Sequence, residues 1–134
     1  MNDLLMRAEQ LAKKADEFNQ DLQRRTKTVI YVAGPMSGMV NENRESFFAM
    51  ESKLKASGFI VLNPAVLPQG LSQSQYMDID LAMLRSADVL CLLDGWQHSP
   101  GAVTEYHLAY KLGMNIVMED QIEKIVDGAL PIAC

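Results

Sequence analysis

The stretch DVLCLLD, residues 88–94, limits the possible folds more than any other part of this chain. A strand with one wet face alternates apolar and polar residues. An unbroken apolar run between two aspartates instead predicts a strand covered on both faces, inside a parallel sheet. Three more β-branched or apolar runs accompany it: TVIYVA (28–33), FIVLNP (59–64) and NIVM (115–118). Helical patterns separate them. The first spans about 43–57, with Phe47, Met50 and Leu54 on one face and Gly58 as its stop. The second covers about 75–86, with Ser72 or Ser74 as its N-cap, and the third runs from Pro100 to Gly113. A last short helix is expected over 119–128.

Strands alternating with helices require right-handed crossovers and a parallel sheet. The expected architecture is a flavodoxin- or Rossmann-like three-layer α/β sandwich. Its four- to five-stranded sheet is ordered 2-1-3-4, with residues 88–94 inside it. Ligands in such folds bind beyond the carboxyl ends of the strands, where the strand order reverses. Chemistry is therefore expected just after Ala33, Leu62 and Leu93.

Residues 3–25 form a separate helical pattern with apolar positions at Leu4, Ala8, Leu11, Ala15, Phe18 and Leu22. Those steps of four and three make a heptad seam about three heptads long, the length at which a coiled coil becomes a reasonable reading. An amphipathic helix packed on its own domain reads equally well. The chain divides into this helix (1–27), for oligomerisation or packing, and an α/β domain (28–134).

Composition narrows the partners. A net charge of −5 disfavours nucleic-acid backbones and anionic membranes. No apolar run is long enough to span a bilayer, and MNDLLMRAEQ lacks a signal-peptide core. Cys91 inside a strand and Cys134 at the last position suggest a reduced, cytoplasmic protein. His98 and His107 show no metal-ligand spacing with a cysteine, and AGPMSG is neither a Walker loop nor GxGxxG, so neither metal nor cofactor is expected.

The sharpest chemical signal is SPGAVTEY, residues 99–106. Ser99 is a favoured N-cap, Pro100 suits the first helical position, and Gly101 lets a ligand approach the free amides of the first turn. Glu105 then falls on the apolar face shared with Ala102, Leu108, Ala109 and Leu112. A carboxylate there loses hydration and its pKa rises unless a partner compensates. Asp94 ends the third strand, where it also suits an Asp-Gly turn. Asp80 lies between Ile79 and Leu81 on the preceding helix, either facing the same crevice or exposed toward Arg85 or Arg44. Tyr31 stands near the end of the first strand, offering a phenol or plain packing. Trp96 can stack on a planar ring or cover the sheet edge.

Together, IYVAGPM, DIDLAMLRSADVLCLLDGW and SPGAVTEYHLAYKLG resemble the nucleoside 2-deoxyribosyltransferase superfamily, in particular its small bacterial and phage branch. The resemblance spans about 28–118. It implies that Glu105 attacks the anomeric carbon of a (deoxy)nucleoside or nucleotide and that Asp80 assists the departing base. Asp94 and Tyr31 would complete the catalytic set. Ser99 would contact a 5′-phosphate, with Gly34, Pro35, Met36, Ser37, Trp96 and Gly101 around the substrate. The first loop departs from the phosphate-binding branch, which carries a basic residue there. The resemblance also implies a homo-oligomer. The expected activity is cleavage or transfer of an N-glycosidic bond. A non-catalytic module binding a nucleotide or an ADP-ribose-like ligand, and an NAD glycohydrolase, stand as alternatives.

Overall fold

The computed structural model describes residues 2–122 and 124. Helix α1 (Asn2–Thr26) precedes an alternating unit of β1 (Val29–Ala33), α2 (Arg44–Ala56), β2 (Ile60–Leu62), α3 (Gln73–Arg85), β3 (Val89–Leu92), α4 (Pro100–Lys111) and β4 (Asn115–Met118). The four strands form one parallel sheet in the order β2-β1-β3-β4. This is the expected α/β sandwich, with four strands among the described residues. β3 is interior and all four of its residues are buried.

The two cores show why both faces of β1 and β3 are apolar. Ile30, Val32, Val89, Cys91 and Leu93 pack with Phe47, Met50 and Leu54 of α2 on one side. Tyr31, Ala33, Leu90 and Leu92 pack with Leu84 of α3 and with Ala102 and Ala109 of α4 on the other. Side chains alternate across a strand, so residue parity decides the layer. Tyr31 thereby faces the same layer as Glu105.

Boundaries shift by a residue or two. The ladder extends beyond β3, because Asp88 bonds Val29 and the Leu93 N–H donates to the Ala33 carbonyl at 2.8 Å. The loop expected over 65–74 is shorter: a 3-10 turn covers Pro64–Val66, and α3 begins at Gln73. Ser72 is its N-cap. The Ser72 hydroxyl accepts from the Gln75 N–H, and the Gln75 side chain accepts from the Ser72 N–H in return. Of the helix expected over 119–128, Glu119–Gln121 form a 3-10 turn, and most of the remainder, with Cys134, lies outside the described residues. No helix among the described residues is long and apolar enough to cross a membrane.

Candidate active site

At the carboxyl ends of β1 and β2, under the N-terminal turn of α4, lies a crevice of about 470 Å³. Its walls come from the first loop (Gly34–Ser37), from Glu42 just ahead of α2 and Arg44 at its start, and from the loop after β2 (Pro64, Leu67, Gly70 and Leu71). Tyr76, Met77 and Asp80 of α3 and Ser99–Ala102 and Glu105 at the start of α4 complete them. With the β1 loop on one side and the turn leading from β3 into α4 on the other, the crevice spans the strand-order reversal between β1 and β3, the expected ligand position.

Glu105 sits on the buried stripe of α4 between Ala102 and Ala109, and only 5% of it is exposed. The small neighbours leave room for the carboxylate to reach the crevice. Its Oε2 has no hydrogen-bond partner. Burial pushes its pKa up to about 8; the Tyr31 hydroxyl partly opposes that shift, and the nearby Asp80 charge adds to it. Tyr31 is fully buried in β1 against Glu105 and stays protonated, its own pKa raised first by burial and then by the Glu105 and Asp80 charges. The Tyr31 oxygen lies close enough to favour a charged Glu105, yet it completes no well-aligned hydrogen bond.

Asp80 comes from the inward face of α3, one turn after Met77 and one turn before Leu84. Neither Arg44 nor Arg85 pairs with it, and its Oδ1 is buried without a partner. Desolvation raises its pKa to about 6. Two carboxyls without countercharges thus share one crevice.

The first turn of α4 is built as its sequence suggests. The Ser99 hydroxyl accepts from the Ala102 N–H at 3.2 Å, which leaves its own O–H free to donate into the crevice. Gly34 is needed for packing. A Cβ there would lie 2.8 Å from the Leu93 Cβ, so only glycine lets the ends of β1 and β3 approach this closely. Gly34, Pro35, Met36, Ser37, Ser99 and Gly101 all line the crevice.

Asp94 and Trp96 do not. They line a separate, smaller pocket of about 190 Å³ with Met118 and Asp120, at the ends of β3 and β4. The reason is local. Gly95 turns the chain with φ of 86°, and the Asp94 N–H donates to the Glu119 carboxylate at 3.1 Å, tying this corner to β4. The Trp96 ring packs on Tyr106, with ring centroids 4.9 Å apart. The expectation that Asp94 and Trp96 share a crevice with Glu105 is corrected by this geometry.

Residue-by-residue reading missed Arg44 as a crevice residue. Its Nη1–H donates to the Ala65 carbonyl at 2.9 Å, Nη2 stands 3.8 Å from Glu42, and its buried Nε has no partner. The chain reaches it through Asn41, Glu42 and Asn43, all in the left-handed region with φ of 50–58°. Such residues cost about 1–3 kcal/mol each and persist only where the surroundings hold them. Here the Asn43 side chain donates to the Pro35 carbonyl and fastens the turn to the first loop. A signal did exist: a cation at the first position of a helix opposes the helix dipole, so it needs another reason to be there. His98, set aside as a metal ligand, also lines the crevice. No group of three or more metal-ligating side chains occurs among the described residues.

A family model described as "Domain of unknown function (DUF4406)" matches residues 28–118. The chain belongs to this family. The match takes in the whole sheet and every crevice element from β1 to α4, and it leaves α1 outside. Comparison with curated proteins gives no match.

Proposed function

We propose that the crevice cleaves or transfers the N-glycosidic bond of a nucleoside 5′-monophosphate, with Glu105 as nucleophile. The observation that carries this reading is the buried, uncompensated pair of Glu105 and Asp80, two carboxyls of unequal pKa in one cavity. Such a pair suits glycosyl transfer through a covalent intermediate. The resemblance to nucleoside 2-deoxyribosyltransferases supplies the substrate class.

The chemistry runs in two displacements. A Glu105 carboxylate oxygen bonds to C1′ while the C1′–N bond breaks and its electron pair goes to the base, which takes the Asp80 proton. Water or a second base then attacks C1′, its proton passes to Asp80, and Glu105 leaves as a carboxylate. Tyr31 is a positioning residue, because its O–H can steady the charged form of Glu105.

The pair needs a single proton. Between about pH 6 and pH 8 it holds one, which rests mainly on Glu105 before substrate binds. The form with Glu105 charged and Asp80 protonated is the minor one in the free protein. Positive charge developing at C1′ favours this arrangement, so bound substrate draws the proton across.

Arg44 favours the monophosphate over the nucleoside. It is the one permanently cationic side chain among the described crevice residues, in a cavity otherwise lined by Glu42, Asp80 and Glu105. The edge formed by Nε and Nη2 carries only the loose contact to Glu42 and fits a bidentate oxyanion. The Ser99 hydroxyl and the amides of the α4 first turn line the same crevice. The loop from 67 to 71 covers the site, and Tyr76 pins it: the Tyr76 hydroxyl donates to the Pro68 carbonyl at 2.6 Å.

The test is incubation with deoxynucleosides, their 5′-monophosphates and NAD, scored for released base. Release from monophosphates, lost in Glu105→Gln, supports the reading. Release from NAD alone would make the protein an NAD glycohydrolase, and tight binding without turnover would make it a binding module.

A further inference from the structure

Every side chain of α1 that the structure describes, residues 3–15 and 17, is exposed. Leu4 is 70% exposed and Leu11 68%, and Leu5 and Met6 accompany them. Exposed leucines seven residues apart form a seam that no described residue covers, and most helical stability in proteins comes from packing such an amphipathic face. The helix stands outside the family match as well. Among the described residues nothing occupies the seam, and its own sequence points to an occupant.

We infer that α1 pairs antiparallel with α1 of a second copy of this chain. The seam positions Leu4, Ala8, Leu11, Ala15, Phe18 and Leu22 are spaced four, three, four, three, four, and the spacing reads the same in reverse. Two antiparallel copies therefore align every layer. Leu4 is set against position 22, Ala8 against position 18, and Leu11 against position 15 of the second copy. In the inner layers each small residue meets a large one, as close packing requires. A parallel pair would set Ala8 on Ala8, Ala15 on Ala15 and Phe18 on Phe18, alternating voids with a crowded layer.

Charge selects the same direction. In the antiparallel register the position flanking the seam at Arg7 lies beside that of Asp21 in the second copy, twice by symmetry. The parallel register sets Arg7 near Ala12 and Lys14 near Asn19, with no complementary pair. One contact opposes the antiparallel form: Lys14 meets its own mate near the two-fold axis, where its long stem lets the ammonium groups diverge. The two α/β domains then leave opposite ends of the helix pair, roughly 40 Å apart along its axis. No described α1 residue lines the crevice, so the pairing does not rest on the proposed reaction.

Light scattering on the full chain, with cysteine cross-linking, tests the inference. The native mass is expected to be twice 14.9 kDa. Leu11→Asp should halve it, weakening association by roughly 100-fold or more. In a Cys134→Ser background, Leu4→Cys and Leu22→Cys chains should each resist oxidation to a disulfide dimer alone and form the mixed disulfide when combined. A monomeric native chain, or a mass unchanged by Leu11→Asp, would overturn the pairing. Self-linked Leu4→Cys and Leu22→Cys dimers, or a dimer that gives no mixed disulfide, would overturn the antiparallel register.

Discussion

Two acidic corners lie at the carboxyl edge of one sheet, and they are built in opposite ways. At the β3–β4 corner, burial and the neighbouring Asp94 carboxyl push the Glu119 pKa up, but Glu119 accepts the Asp94 N–H, and that bond and Lys53 partly offset the shift. Asp94 itself is exposed to water. In the crevice, Glu105 Oε2 and Asp80 Oδ1 are buried without a hydrogen-bond partner, and no described cation pairs with either. The first corner holds the ends of two strands together. The second keeps two carboxyls poorly solvated, a cost to the fold that is reasonable only where chemistry uses it. Burial without compensation, more than acidity, separates a candidate reactive site from a structural one.

The largest effect expected from this contrast is at Glu105. Glu105→Gln should lower turnover of the monophosphate by roughly 10³-fold or more, since the nucleophile is gone. Its stability should move the other way. A carboxyl raised to about 8 binds a proton in the folded state that the unfolded state has already lost above its ordinary value near 4.5. Wild-type stability therefore falls as pH rises through that window and levels off above pH 8. The amide of the Glu105→Gln variant carries no such dependence. Thermal melts from pH 5 to pH 9 should show the variant gaining on the wild type up to about pH 8 and no further above it, and parallel curves would remove the buried ionisable glutamate from the account.

Asp80→Asn should cost about 10²-fold in kcat, the usual contribution of a positioned proton donor. A base that leaves without help should restore much of that loss in the variant. Wild-type kcat/KM should follow a bell with limbs near pH 6 and pH 8, and Asp80→Asn should change its shape. A flat profile over that range would break the link between the two carboxyls.

Arg44→Gln should reduce kcat/KM on the monophosphate by about 10- to 100-fold while changing that on the nucleoside by less than about threefold. Equal losses on both would assign Arg44 to holding Ala65 and the first loop in place. The smallest effect belongs to the other corner. Asp94→Asn should leave turnover within about threefold of wild type, because its side chain does not reach the crevice. A loss as large as that of Asp80→Asn would erase the distinction between the two corners.

The fold was legible because its signals are local and repeated. The apolar run at 88–94 marked the interior strand, and Ser99 and the pair Ser72 and Ser74 marked helix starts, which the structure caps with the Ser99 and Ser72 hydroxyls. The placement of Glu105 was legible for a related reason, as a carboxylate at a core spacing stands out against alanines and leucines. Asp94 was misplaced because an Asp at a strand end looks the same whichever neighbouring strand it serves. Only the Gly95 turn and the bond to Glu119 decide that. Arg44 was overlooked because its approach depends on three consecutive left-handed residues, two of them asparagines, which no hydrophobic period announces.

Mass spectrometry of the protein quenched during turnover tests the central claim most directly. With a nucleoside 5′-monophosphate as substrate, a single sugar-phosphate adduct should appear on the peptide that carries Glu105, and Glu105→Gln should show neither adduct nor released base. Base release that persists in Glu105→Gln, or an adduct on any other residue, would contradict the account.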